Sequence, residues 1–432
     1  MAEPGRPRTL LEALVRQRQL SWDEAADFVV KTARKHEDIG ISLSGRHLGR
    51  LARGERSGNR PNPATRRALQ YTFNRPVDEL LGPYTPGDCV VGDGSERGTD
   101  ALEVLTVAAD RARRFMTSLQ TSDESLQLIH DEVQNLVRAY PARPLPEILG
   151  HLVSGQETVF SLLERPQRPN HARQLYFLGA VVGGLLAKAS HDLADPHAAL
   201  AQSRTAWLCA EQADHDGLRA WISGLQSLIC YWARRPHDSI RYAQRGAAYA
   251  QRAGSTALVW LPVSEARAWA ALGNGEQARD AIERAEQAWD QVHPDEMDEM
   301  GGIATFSRPR QLYFAADALV WLPDESSAAE DYARQAVDAY SDPSDPYWAF
   351  SDAAGSHTAL AIARIRRGEI DAAADALTPV LDLPAEQRIN GIIHSVNRVH
   401  QALNCAPSSA TASKLQERIE SYALTPVRAL TR

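Results

Sequence analysis

The sequence has few cysteines and no long apolar run, and each scarcity excludes a class of protein. Its four cysteines, Cys89, Cys209, Cys230 and Cys405, form no CxxC pair, which excludes a zinc ribbon and gives no sign of a disulfide framework. We expect them to be buried free thiols in a reducing compartment. The longest apolar run, Leu175 to Ala187, is shorter than the roughly 20 residues that a membrane-spanning helix needs.

Motifs of enzyme chemistry are also missing. The sequence contains no GxxxxGK[ST] phosphate loop, no GxGxxG after a strand and no GxSxG nucleophile elbow. No two histidines have the spacing of a zinc-protease ligand pair. We therefore expect no enzyme activity, no metal site and no cofactor. The neighbouring carboxylates Asp295/Glu296 and Asp298/Glu299 are expected in an exposed acidic loop, where a basic partner could dock.

Lysine is scarce as well, and its scarcity bears on the origin of the chain. The sequence has four lysines against 43 arginines, a ratio typical of proteins from GC-rich bacterial genomes. The amino terminus, MAEPGRPR, leads into a charged amphipathic stretch rather than an apolar signal core. We expect a soluble, cytoplasmic protein that makes no contact with a membrane.

The charge is distributed unevenly between the two ends of the chain. Residues 1–84 carry 15 basic and 10 acidic side chains, whereas the remainder carries 32 basic and 45 acidic ones. Residues 42–75 contain eight arginines and one acidic residue, Glu55. A basic head on an acidic body is typical of a protein whose head binds nucleic acid, although a solvated basic face has the same composition.

Helical periodicity is nearly continuous and no strand alternation is evident, so we predict an all-α protein. A Gly-rich polar stretch, TPGDCVVGDGSERGT, divides a short amino-terminal unit from a long helical body. The predicted segments are a flexible arm (1–8), a helix-turn-helix domain (9–84), a linker (85–99), a helical connecting region (100–169), a helical-repeat domain (170–404) and a carboxy-terminal cap or tail (405–432).

Helix-capping signals divide the amino-terminal unit into five helices. Ser21 followed by Glu24 predicts a capping box at the start of helix two. A short arginine-rich helix is expected after Ser42 or Ser44 as its N-cap. Asn62 followed by Pro63 predicts the start of a fourth helix, and a fifth is expected near Pro76 to Gly82.

The stretch ISLSGRHLGRLARGERSGNRPNPATRRALQYTFNRPVDELL, Ile41 to Leu81, resembles the lambda-repressor-like (XRE) helix-turn-helix family. The resemblance implies a five-helix DNA-binding domain in which the short helix reads the major groove. The same fold could also serve as a protein-interaction module. The resemblance assigns DNA contact to a set of polar side chains on and after this helix: Ser42, Ser44, Arg46, His47, Arg50, Arg53, Arg56 and Arg60.

The long body repeats a pattern of helix pairs joined by Gly- or Pro-containing turns. Its best unit, AWAALGNGEQARDAIERAEQAW, Ala268 to Trp289, resembles the tetratricopeptide (TPR) repeat. The repeats start 38 to 51 residues apart, longer than the TPR family's usual spacing, and a generic α-solenoid is the alternative. The predicted second helices share small or apolar residues at i, i+4 and i+7, namely Ala199/Ser203/Ala206, Ile240/Gln244/Ala247, Ala278/Ile282/Ala285, Ala329/Ala333/Ala336 and Ala373/Leu377/Val380.

Together the two parts resemble a bacterial arrangement in which an XRE head is joined to a TPR sensor or dimerisation body. That resemblance implies a homodimeric transcription regulator that binds double-stranded operator DNA and responds to a peptide, small-molecule or protein effector in its repeats. The alternative is a TPR-type scaffold whose basic head docks a protein without sequence-specific DNA binding. Candidate effector contacts are the aromatic and charged residues of the first helices: Tyr176, Trp221, Trp260, Arg267, Tyr313, Trp348 and Asp352.

Overall fold

Helices form the regular structure in every range that the structure describes. The computed structural model describes residues 7–17, 20–37, 41–53, 61–73, 75–84, 122–407 and 409–424. Within these ranges the one exception is an isolated antiparallel bridge between Thr9 and Pro83. The predicted all-α class is confirmed for this part of the chain. The chain divides into two compact units, Met1–Val107 and Ala108–Arg432; the predicted linker, 85–99, lies outside the described residues.

The amino-terminal unit contains five described helices around one small core. Leu11, Leu48, Leu69 and Leu80, which lie on four different helices, are fully buried there. The helices, numbered in chain order, are α1 (Leu10–Gln17), α2 (Trp22–Glu37), α3 (Gly45–Ala52), α4 (Pro63–Phe73) and α5 (Val77–Leu80).

The helix starts predicted from capping residues are confirmed. The Ser21 backbone N–H donates to the Glu24 carboxylate at 2.8 Å, and the Glu24 N–H donates to the Ser21 hydroxyl at 3.3 Å, which together form the capping box. The Asn62 side-chain oxygen accepts from Thr65 N–H at 2.7 Å ahead of Pro63, the first residue of α4. Local polar signals thus specify where these helices begin.

The second unit is a TPR-like array of helical hairpins. In the described part of this unit, two helices precede five hairpins, and two further helices follow them. No helix in the described ranges is long and apolar enough to cross a membrane. The first pair is α6 (Asp123–Ala139) and α7 (Leu145–Leu163). The hairpins are α8 (Pro169–Asp192) with α9 (Pro196–Gln212), α10 (Asp216–Trp232) with α11 (Pro236–Ala253), α12 (Ala257–Ala271) with α13 (Gly275–Gln287), α15 (Arg308–Leu319) with α16 (Ser326–Ala339), and α17 (Phe350–Arg366) with α18 (Ile370–Leu381). The short helix α14 (Glu296–Glu299) precedes the fourth hairpin, and α19 (Asn390–Asn404) and α20 (Ala410–Ala423) end the unit.

Small residues in the second helix of each hairpin lie in the core, as the repeat pattern predicts. Four of the five predicted sets are buried, and they lie on α9, α13, α16 and α18. The set on α11 is wrong by one position, because Gln244 and Ala247 are exposed while Ser239, Ala243 and Gly246 face the core. Ile240, a member of the predicted set, is buried as well. The sequence alone is therefore compatible with both the predicted and the observed set of core positions.

Tight turns with a left-handed residue end successive helices of the array. Positive φ angles occur at Ala194, Asp214, Arg234, Gly254 and Gly273, 19 or 20 residues apart. At several of these turns the next N–H closes a bond to the last helical turn, as from Arg235 N–H to the Cys230 carbonyl at 2.9 Å. Three of these positions are not glycine, but Pro196 and Pro236 directly follow the hairpin turns at Ala194 and Arg234, in agreement with the predicted Gly- or Pro-containing turns.

Aromatic rings on the first helices pack onto glycine backbones of neighbouring first helices. A Cβ at Gly184 would lie 2.1 Å from the Trp221 ring, and one at Gly224 would lie 2.6 Å from the Trp260 ring. Gly355 accommodates Tyr313 in the same way, at 2.3 Å. Close approach of these first helices thus depends on residues without a side chain.

An extra segment accounts for the longest repeat spacing, between Ala278 and Ala329. Residues 288–307 contain two 3₁₀ turns and α14, and they pack back on earlier helices. The Asp298 carboxylate accepts from Thr256 N–H at 2.9 Å at the start of α12, and Asp298 is buried. The prediction of an exposed acidic loop is therefore wrong for Asp298, whose carboxylate holds two elements together.

The cysteine expectation is confirmed in part. Cys209 and Cys230 are buried free thiols, and burial raises the pKa of each to about 11. Cys405 is exposed instead, because it follows the last turn of α19. Cys89 lies outside the described residues.

Candidate functional site

Helix α3 presents a polar, basic face to solvent. Its buried residues, Gly45, Leu48, Gly49 and Ala52, recur at helical spacing on one side. Of the eight side chains assigned to DNA contact, six are described and all six are exposed: Ser42, Ser44, Arg46, His47, Arg50 and Arg53. Arg56 and Arg60 lie outside the described residues.

The structure shows why this helix lies so close to α2. A Cβ at Gly45 would lie 2.1 Å from the Asp23 carboxylate and 2.7 Å from the Asp23 backbone nitrogen. One turn later, a Cβ at Gly49 would lie 3.3 Å from the Trp22 ring. The two glycines therefore let the first turn of α3 rest on the first turn of α2.

Hydrogen bonds fix both ends of α3. The Ser44 hydroxyl accepts from His47 N–H at 3.3 Å and caps the amino terminus. At the other end the Thr9 hydroxyl donates to the Ala52 carbonyl. Arg53 folds back along the helix, with its Nε donating to the Gly49 carbonyl at 3.0 Å. These hydrogen bonds fix the position of α3, and with it the basic face, within the amino-terminal unit.

The seven predicted effector contacts fall into three groups in the repeat unit. Trp221 and Trp260 are only 2% and 6% exposed, because each ring fills a notch, the space beside a glycine of the neighbouring first helix (Gly184 and Gly224). Tyr176 and Trp348 are half-buried. Arg267, Tyr313 and Asp352 line one small cavity of about 50 Å³. The structure therefore brings together three of the seven at one small cavity and places two as packing residues.

A buried charge cluster lies beside this cavity, formed by Arg267 on α12, Asp317 on α15 and Arg398 on α19. Arg267 and Asp317 are 2% and 1% exposed, and their Nε and Oδ2 atoms are 2.7 Å apart. Arg398 binds the other carboxylate oxygen through Nη2. Three helices from distant parts of the sequence thus meet at one carboxylate.

Aromatic side chains surround the cluster. The Arg267 guanidinium lies 4.1 Å from the centroid of the Tyr231 ring and 4.2 Å from that of Phe314. The Tyr231 hydroxyl donates to Asp317 at 3.0 Å and accepts from the Trp321 indole N–H at 2.9 Å. These groups replace water around the charges and hold their geometry.

The cluster contains more positive than negative charge. Burial alone would raise the pKa of Asp317, but Arg398 and Arg267 outweigh it and hold that pKa below its usual value. Two guanidiniums therefore share a single ionised carboxylate. Arg267 Nη2 and Arg398 Nε are buried and have no hydrogen-bond partner in the described part of the chain. Unpaired buried donors of this kind are costly and favour an additional acceptor.

Two further ion pairs line the same interior. Lys188 contacts Asp192 at 2.5 Å, and Tyr140 donates to the same carboxylate at 2.9 Å. Arg310 contacts Asp352 at 2.6 Å. In each of these pairs one cation meets one carboxylate, so they leave the excess charge of the cluster uncompensated.

Helix α19 lies against the first helices of several hairpins. It packs on α17 and contacts α8. Its His394 ring stacks on Trp232 of α10, with centroids 6.1 Å apart, and its Arg398 reaches Asp317 of α15. The first helices, to which the sequence analysis assigns the effector contacts, are therefore partly covered by a helix of the chain itself.

The buried side chain of His191 makes the stability of the repeat unit depend on pH. Burial first, and then Lys188, His394 and Arg267, hold the pKa of His191 well below its ordinary value. Below about pH 6.5 the unfolded chain binds a proton at His191 that the folded chain does not bind. The contribution of neutral His191 to the stability of the folded chain is therefore complete above that pH and is lost as pH falls. We expect the free energy of unfolding to fall by up to about 1.4 kcal/mol per pH unit for this group.

Urea unfolding at pH 7.5, 6.5 and 5.5 measures this effect. The His191→Gln variant should show a shallower fall than the parent chain, because it lacks one titrating group. Burial also lowers the pKa of His357 and His394, so the variant keeps part of the slope. Equal slopes in parent and variant would contradict a buried neutral His191.

Most of the buried charge cluster is not recognisable in the sequence. Arg267 is among the residues predicted from the sequence, but Asp317 and Arg398 are not, because no motif surrounds these two residues. The described residues contain no group of three or more His, Cys, Asp or Glu that could hold a metal ion. The expectation that the protein has no metal stays a prediction.

The likeness of the chain to known proteins is distant and structural. The chain matches no protein-family model and no curated protein. Among solved structures, it is similar to the crystal structure of a Rap protein complexed with competence and sporulation factor, at 13% sequence identity and a TM-score of 0.40. The match covers 70% of this chain and 98% of the Rap chain. So low a likeness carries no argument, and the TPR-like assignment rests on the helix packing described above.

Proposed function

We propose that the protein is a sequence-specific DNA-binding transcription regulator whose TPR-like unit binds an effector. The observation that carries the proposal is the exposed basic face of α3, with Arg46, His47 and Arg50 on the side opposite its buried glycines and leucine. Arginine offers a bidentate donor pair to guanine, and α3 is about the length of a major-groove reading helix. A homodimer is expected, since one small unit buries little DNA surface.

The amino-terminal charge supports the same proposal. The first 84 residues carry five more basic than acidic side chains, although the whole chain has a net charge of −8. Phosphate contacts need such a local excess, and an acidic body does not supply it. The excess positive charge inside the repeat unit supports the effector-binding half of the proposal, because it leaves a place for an anionic group.

The Arg46→Ala variant tests base reading. We expect it to weaken binding to the preferred DNA by about 1–3 kcal/mol, and to relax the base preference at one position, because a bidentate contact to guanine is lost. The measurement is selection of bound fragments from a random DNA library by the full chain, followed by titration of the selected sequence.

Arg204→Ala provides the matched control, since Arg204 is an exposed arginine on α9 of the repeat unit. It should leave both affinity and preference unchanged. A loss for Arg46→Ala that is equal on all sequences would assign Arg46 to a phosphate contact instead. If the full chain binds no DNA even at 50 mM salt, the proposal is wrong.

A protein-interaction scaffold is the second candidate. It requires only a TPR-like array, which accounts for most of the described chain. On this hypothesis the basic face of α3 docks an acidic protein and DNA binding is weak and unselective. The dependence of DNA affinity on salt together with sequence preference separates the two: an operator binder shows both a steep salt slope and a selected motif.

A further inference from the structure

A second, larger cavity of about 410 Å³ lies next to the buried charge cluster. Its walls come from the end of α10, the start of α11, the residue Trp321 after α15, and α19. The volume falls within the range of pockets that hold small organic ligands. It opens to solvent at Arg234, which is exposed, and at Trp321, which is 38% exposed.

The cavity is cationic without a compensating acid. Arg234, His394 and Arg398 line it, and none of its lining residues is Asp or Glu. Arg398 is also the residue whose buried Nε hydrogen has no acceptor in the described ranges. The nearest carboxylate of the buried charge cluster, Asp317, is already shared between two guanidiniums. An anionic group in the cavity would therefore meet unbalanced positive charge.

The same cavity has flat apolar walls. The Arg398 guanidinium lies 5.4 Å from the ring centroid of Trp232 and 5.4 Å from that of Trp321. The His394 ring lies nearly parallel to the Trp232 ring, at an angle of 20°. Two indoles within 5.4 Å of one guanidinium suit a ligand that combines a planar apolar body with a negative charge.

We infer that this cavity is the effector site and that it binds a carboxylate attached to a planar, apolar group. The carboxylate lies between Arg398 and Arg234, and the planar body packs on Trp232 and Trp321. Such chemistry occurs both in a free aromatic acid and in the carboxy-terminal aromatic residue of a short peptide. This inference deepens the effector half of the proposed function, and it holds or fails independently of DNA binding.

Proton uptake provides a second signature of the site. Burial, together with Arg234 and Arg398, holds the pKa of His394 below its ordinary value. A carboxylate between those two arginines offsets their charge and raises the pKa of His394 again. Binding near pH 6 is therefore accompanied by proton uptake, which a purely apolar ligand does not cause.

Isothermal titration of the full chain without DNA tests the inference. The probes are naphthalene-2-carboxylate and its uncharged analogue naphthalene-2-carboxamide, and the tripeptide Gly-Gly-Phe with a free or an amidated carboxy terminus. We expect each free acid that fits to bind at least about tenfold more tightly than its amide, since a charge-assisted hydrogen bond is lost in the amide. Whichever acid binds more tightly identifies the source, free acid or peptide end.

Arg234→Gln is the decisive variant, because Arg234 is exposed and its loss leaves the core intact. It should weaken binding of the acid by about five- to tenfold. Arg235→Gln is the matched control, since Arg235 is exposed, pairs with Asp238 and does not line the cavity. Titration near pH 6 in buffers of different ionisation enthalpy should show proton uptake with the acids alone. Equal binding of acid and amide, equal effects of the two variants, or no binding by any probe at millimolar concentration would overturn the inference, whatever the outcome with DNA.

Discussion

Replacing Asp317 with asparagine is expected to lower the free energy of unfolding of the repeat unit by about 3–5 kcal/mol. The Asp317 carboxylate is the shared partner of Arg267 and Arg398, and it is almost wholly buried. Removing its charge leaves two neighbouring guanidiniums without an anionic partner, and that of Arg267 is only 2% exposed. The loss of one partner from a buried ion pair costs far more than the pair contributes when intact.

The surrounding side chains make it difficult for the two guanidiniums to move apart in the Asp317→Asn variant. Arg267 is held between the rings of Tyr231 and Phe314, and so it cannot turn toward solvent without opening the core. Arg398 is 13% exposed and has more freedom, but the rings of Trp232 and Trp321 lie within 5.4 Å of its guanidinium. We therefore place the expected loss within the range measured for buried pairs rather than for surface ones.

Chemical unfolding of three variants measures the effect. Asp338→Asn, on the exposed side of α16, is the control and should change stability by less than about 0.5 kcal/mol. The triple variant Arg267→Met/Asp317→Asn/Arg398→Met removes the two cations as well, and should be more stable than Asp317→Asn alone. If the triple variant is no more stable than the single one, electrostatic imbalance is not the cause of the loss.

The same cluster should be insensitive to mild acid. Because Arg398 and Arg267 hold the pKa of Asp317 below its usual value, its stabilisation is complete above about pH 4 and is lost only as pH falls through the lowered pKa. The difference between the parent chain and Asp317→Asn should therefore stay constant from pH 7 to pH 5. Over that interval the buried histidines, and not Asp317, account for the loss of stability.

Local features of the fold could be predicted from the sequence, and long-range pairing could not. The capping box at Ser21 and Glu24 and the Asn62 cap are visible because their partners are three residues apart. The charge cluster joins residues 50 and 81 positions apart, Arg267 with Asp317 and Arg398 with Asp317. No local pattern records such a pairing, since it depends on how the hairpins stack.

The effector prediction shows a related limit. Periodicity placed Trp221 and Trp260 correctly on first helices, yet it could not tell a ring that lines a groove from one that packs onto a glycine of the next helix. The signal was present in the sequence as Gly184 and Gly224, which lie 37 and 36 residues before those tryptophans. It is interpretable only once the hairpins are known to stack with those positions in contact.

Replacing Trp260 with alanine is expected to lower the free energy of unfolding by about 3–5 kcal/mol. The ring is buried, stacks on Phe306 with centroids 5.8 Å apart, and fills the notch above the Gly224 backbone. Its removal leaves a large cavity between two first helices, which the rigid hairpins cannot close.

The Trp260 ring should also determine whether a second substitution, Gly224→Ala, raises or lowers the free energy of unfolding. In the parent chain the new methyl group would lie 2.6 Å from the ring, so we expect a loss of about 1–3 kcal/mol despite the better helix propensity of alanine. In the Trp260→Ala background the methyl group enters the vacated space, and the substitution should become neutral or stabilising by up to about 1 kcal/mol. Gly150→Ala on α7 is the control, because no atom lies within 4 Å of its Cβ position and it should stabilise both backgrounds equally. Unfolding curves of the double-mutant cycle measure the coupling, and additive effects of Gly224→Ala and Trp260→Ala would contradict the notch as the contact that sets the spacing of these helices.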